Sequence, residues 1–83
     1  MGETTLTLIK NGSKVSIKGS DEPIEGVILA TSILGPDNSV EYEIVRWEGR
    51  ERVVEWLEAF EVEAINPSSI VKTKFFGFTY KQE

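Results

Sequence analysis

The chain of 83 residues contains no cysteine and no histidine. Without cysteine there are no disulfides, no thiolate nucleophile and no sulfur-rich zinc site. Without histidine the usual general base and the commonest metal ligand are missing as well. Serine and threonine therefore lack a partner to activate them, and no glycine-rich loop opens a helix that would cradle a phosphate. Carboxylate-only chemistry remains on paper, but a domain this small offers no cleft deep enough to exclude water around two carboxyls. No run approaches the ~20 apolar residues of a membrane span. The Met-Gly-Glu-Thr-Thr start has neither the basic end nor the apolar core of a signal peptide. The expectation is a soluble cytoplasmic protein that is not an enzyme, needs no cofactor or metal, and has no membrane partner.

Hydrophobic residues make up 40% and charged residues 28% of the chain, which is a globular composition with room for one core. The net charge of −5 argues against direct nucleic-acid binding. Its distribution is uneven. Residues 21–65 carry twelve carboxylates against Arg46, Arg50 and Arg52, a net of −9, while residues 1–20 and 66–83 each carry +2. All lysines lie in the terminal segments and all arginines in the middle. Basic ends packed beside an acidic body, or meeting an acidic partner, would account for this pattern, and so would chance in a short chain.

Turn residues recur at Asn11-Gly12, Gly19–Pro23, Gly35–Asn38, Glu48-Gly49 and Asn66-Pro67. The runs between them are short and rich in Val, Ile, Thr and aromatics, which is strand spacing. Leu6 and Leu8 alternate with threonines in a first strand, and Asn11-Gly12 is expected to fold it as a hairpin onto Lys14–Lys18. Glu25–Ile33 reads as a longer strand whose Gly26 permits bending or close backbone approach. Val40, Tyr42 and Ile44 alternate cleanly before Val45 and Trp47 reverse the phase, implying a bulge or burial on both faces. Glu51–Trp56 completes a hairpin, Leu57–Phe60 reads as a single 3₁₀ turn, and Val62–Ile65 as a short closing strand. An amphipathic helix over 51–62 is the competing reading. Val15, Val27, Ile44 and Val62 are the expected core.

Gly12-Ser13-Lys14-Val15, Glu25-Gly26-Val27, Tyr42–Trp47 and Trp56–Val62 follow one another in an order that resembles the small SH3-like barrel of Tudor-like domains. A similar order is found in the SH3-like subunit of photosystem I and in short uncharacterised proteins of bacteria and phages. The resemblance covers residues 12–65 and implies an all-β, five-stranded barrel with a 3₁₀ turn before its last strand. Residues 1–11 and 66–83 are then terminal strand extensions of the same single domain. It also implies a protein-interaction module of a bacterial or phage accessory protein.

Tudor-like domains that bind methylated side chains use an aromatic cage, and Tyr42, Trp47, Trp56 and Phe60 are the candidates by type for contact with a ligand or protein partner. Strand alternation sets Tyr42 and Trp47 on opposite faces unless a bulge realigns them. In so small a core, at most one of Trp47 and Trp56 is expected to be solvent-accessible. In the tail, Phe76, Phe78 and Tyr80 alternate on one face of a strand-like segment that must be covered. Pairing with Thr4–Lys10 of the same chain is expected. The alternative is a structural subunit, a homo-oligomer assembled through this C-terminal strand. The glutamates at 41, 43, 48, 51, 55, 58, 61 and 63 allow a further alternative, an acidic inhibitor that imitates nucleic acid, diluted by the interspersed arginines. Asp21, Glu22 and Glu25 lack the ordered spacing of a calcium loop.

Overall fold

Seven strands and two 3₁₀ turns make up the fold in a computed structural model that describes residues 3–19 and 21–76, with side chains from 5–19 and 21–73. The strands are β1 (Glu3–Ile9), β2 (Lys14–Ile17), β3 (Ile24–Leu34), β4 (Ser39–Glu48), β5 (Glu51–Glu58), β6 (Val62–Ala64) and β7 (Ile70–Phe76). The chain is all-β. Among the described residues no helix is long and apolar enough to cross a membrane.

Strands β5-β4-β3-β2-β6 form one antiparallel sheet in that order, and β1 pairs with β7 in a second, two-stranded one. The larger sheet is open, with β5 and β6 as its two edges. A closed barrel would need those edges to meet. Strand β6 has only three residues, and all three pair with β2.

The expected hairpin at Asn11-Gly12 does not form, because β1 pairs with β7 and not with β2. A tight hairpin of type I′ needs positive φ at both central residues. Here Gly12 takes φ 85°, but Asn38 is the one non-glycine residue with positive φ among those described. The turn closes through the Ser13 N–H to the Lys10 carbonyl at 3.2 Å. It then diverts the chain onto β3, where the Gly12 N–H donates to the Ile28 carbonyl at 2.7 Å and the Ile28 N–H to the Ser13 carbonyl at 3.0 Å. The Thr31 hydroxyl adds a bond to Asn11 Oδ1 at 2.9 Å.

Strands β4 and β5 join through the two-residue loop Gly49-Arg50, with Glu48 opposite Glu51. Gly49 supplies a φ of 61° at the first loop position, as a type II′ hairpin requires. Their register runs unbroken to Glu41 opposite Glu58, which excludes a helix over 51–62. The 3₁₀ turn falls at Ala59–Glu61, starting two residues and ending one residue later than the sequence suggests. The bulge lies on β3 and not on β4: Ile28 faces Ile44 and Ala30 faces Glu43, so Leu29 is the extra residue.

The core consists of Val15, Ile28, Tyr42, Ile44 and Val62, with Ile9, Ile17, Val40 and Leu57 packed against it. Ile28 occupies the place expected for Val27, which is half-buried on the opposite face. The close approach at Gly26 is real: a Cβ there would stand 2.5 Å from Ile44 Cγ2 and 3.0 Å from the Val45 carbonyl oxygen.

The expected pairing of the tail with the first strand is present along Ile9–Ile70 through Glu3–Phe76. Asn66 caps the preceding 3₁₀ turn, its Oδ1 accepting from the Ser68 N–H at 3.0 Å and the Ser68 hydroxyl at 2.9 Å. Phe76 ends β7. Phe78 and Tyr80 lie outside the described residues.

Candidate protein-binding face

The short β4–β5 loop decides which side chains share a face. With Glu48 opposite Glu51, Trp47 falls opposite Arg52, Val45 opposite Val54 and Glu43 opposite Trp56. Cross-strand partners project to the same side of a sheet, and so do alternate residues along a strand. Trp47, Val45, Val54 and Trp56 therefore form one continuous strip on the outer face, away from the core. Val27 extends it onto β3, opposite Val45, and Lys14 on β2 lies opposite Val27.

Both indoles are open to solvent, Trp47 at 63% exposure and Trp56 at 49%. The expectation of at most one accessible tryptophan is thus corrected. The core is filled by Tyr42 and branched aliphatics, which leaves both indoles on the far side of the hairpin. Val54 is exposed between them. The two tryptophans stand roughly 14 Å apart, four residues along the strands at ~3.3 Å each and one strand spacing across.

Charge is graded along the strip. At the Trp56 end, Glu43 lies directly opposite the indole, while Glu58 lies two residues on and opposite Glu41. At the Trp47 end, Arg52 lies opposite the indole. A surface pocket of about 280 Å³ opens there, lined by Lys14, Glu25, Val27, Val45 and Trp47 among others. Arg46 points to the other face, where its Nε donates to Glu55 at 2.8 Å and its Nη1 to Glu48 at 3.0 Å. These bonds, Glu55 first and Glu48 second, hold its pKa above the ordinary arginine value.

The remaining aromatic candidates are placed differently. Tyr42 is 2% exposed, and its hydroxyl accepts from the Ile9 N–H at 3.1 Å, so it belongs to the core and not to a binding surface. Phe60 is 71% exposed on the 3₁₀ turn. Tyr42, Trp47, Trp56 and Phe60 are therefore not assembled as four walls of one cage. The sequence reading missed Val27 and Val54 as outer-face residues, and took the opposite-facing Val45 and Trp47 for a bulge or for burial on both faces. The signal was present in the two-residue loop, which fixes every later pairing of the hairpin. Searches against protein-family models, curated proteins and solved structures give no match to this chain.

Proposed function

We propose that the chain is a non-enzymatic protein-interaction module that binds its partner on the outer face of the β3–β4–β5 sheet. The observation that carries this reading is the shared exposure of Trp47 and Trp56 on one face, bracketing Val45 and Val54. Tryptophan is enriched among the residues that dominate binding energy, because one side chain removes ~150–250 Å² from water. A flat strip with graded charge suits an extended protein segment better than a small molecule, which would need an enclosing cavity.

We further read the body as SH3-like. The order β5-β4-β3-β2-β6, with a 3₁₀ turn before β6, supports a meander of four strands whose fifth returns beside the first. An accessory protein of a bacterium or phage is the setting that the resemblance implies.

Affinity capture from the source cells tests the reading. The wild-type chain should retain a specific protein that Trp47→Thr and Trp56→Thr each release, with strand content unchanged by circular dichroism. Retention of the same protein by the double variant would contradict it.

A further inference from the structure

We infer that the free edge of β5 pairs with the free edge of β7 from a second copy of this chain, with Lys72 set against Trp56. The inference rests on strand edges and charge, and is independent of the partner reading above.

In antiparallel pairs, residues that exchange backbone bonds alternate with residues that do not. The pair that closes a two-residue hairpin is bonded, here Glu48 with Glu51. Alternation then directs the backbone groups of Arg52, Val54, Trp56 and Glu58 away from β4, toward the open edge of the sheet. The Glu58 N–H is taken by Glu61 Oε2 at 3.0 Å, which fits this orientation. No protein acceptor meets the N–H groups of Arg52, Val54 and Trp56 among the described residues. On the other sheet the Lys10 N–H donates to the Ser69 carbonyl at 2.9 Å. The same alternation along β7 directs the backbone groups of Ile70, Lys72 and Lys74 away from β1.

Among the described residues, two edges of similar length are therefore unpaired, eight residues in β5 and seven in β7. Unpaired edges are templates for strand addition. Their charges are opposite: β5 holds three glutamates and one arginine, and β7 holds two lysines and no acid. Strand β1 carries only Glu3, so β7 and not β1 is the complementary edge. A two-stranded ribbon is marginal alone in water, and joining the larger sheet would relieve that.

Strand length and charge together select the register. The antiparallel alignment that pairs all seven residues of β7, brings the outward backbone groups face to face and puts neither lysine opposite Arg52 sets Lys72 opposite Trp56 and Ile70 opposite Glu58. The Lys72 ammonium then covers the indole face, with Glu58 and Glu43 on the same side. Made reciprocally about a two-fold axis, β5 of each copy to β7 of the other, the contact is isologous and closes as a dimer.

Sedimentation velocity from about 1 to 500 μM tests this, since an edge contact is expected to be weak. The wild-type chain should self-associate, and raising the salt to about 0.5 M should reduce the association. Glu58→Lys and Lys72→Glu place like charges together, and each should raise the dissociation constant roughly tenfold or more. An equimolar mixture of the two variants should associate again. The two exchanged charges then attract at one contact, and the native pair is kept at the other. Trp47→Thr should self-associate as the wild type does, which separates this test from the partner-binding reading. A wild-type chain that stays monomeric throughout would overturn the inference and leave the β5 edge to another protein. Single variants that associate like the wild type, or a mixture that fails to, would overturn it as well.

Discussion

The hydroxyl of Tyr42 accepts a hydrogen bond from the backbone N–H of Ile9 at 3.1 Å, linking β4 to β1 across 33 residues of chain. Tyr42 is buried in the core of the larger sheet, and Ile9 ends the strand that begins the smaller one. The bond thus ties the two sheets together where the chain leaves β1. Tyr42→Phe keeps the ring and its packing but removes the acceptor. The change should cost about 0.5–1.5 kcal/mol. Hydrogen exchange should quicken at the Ile9 amide while Ile28 and Ile44 stay protected, which separates local loosening from global loss.

Gly26 gives a second prediction. An added methyl would meet Ile44 Cγ2 at 2.5 Å, and that carbon sits on a stiff β-branched side chain in the core. Gly26→Ala should therefore destabilise the fold by about 1–3 kcal/mol despite its better strand propensity. Thermal unfolding measures this, and an unchanged midpoint would show that the sheet yields at that crossing.

Fluorescence addresses the outer face. Both indoles should be open to acrylamide quenching, with Trp47 the more accessible of the two. The single variants Trp47→Phe and Trp56→Phe assign the signals. A blue-shifted, quencher-resistant tryptophan at either position would contradict the placement of that residue.

Much of this architecture is readable from residues alone, because turn chemistry and period-two patterning act locally. Gly49 marks the β4–β5 hairpin, Asn66-Pro67 marks the turn into β7, and the Leu6–Ile9 pattern seeks the tail. The errors came where a tertiary contact outweighs a local signal. Asn11-Gly12 has hairpin composition, yet bonds to Ile28 and Thr31 draw it to β3. The reversed phase at Val45 and Trp47 looks like a bulge in β4. It is instead an apolar outer face, while the bulge falls at Leu29, inside the continuous apolar run Val27–Ala30 that has no alternation to interrupt. Tyr42 and Trp47 were legible as opposite-facing by alternation. Tyr42 shares its face with Ile44, an expected core residue, so alternation also points it inward, whereas the Ile9 N–H that its hydroxyl accepts from is set by the tertiary fold.

The central claim is that Trp47 and Trp56 form a surface for binding and do not hold the fold together. The most direct measurement compares unfolding of the Trp47→Thr/Trp56→Thr double variant with that of Ile44→Ala. Threonine keeps the strand preference, so the double variant should lose no more than about 1 kcal/mol. Ile44→Ala empties the core and should lose about 2–5 kcal/mol, a large share of the stability of a domain this size. A double variant as unstable as Ile44→Ala would contradict the account, since both indoles would then be structural.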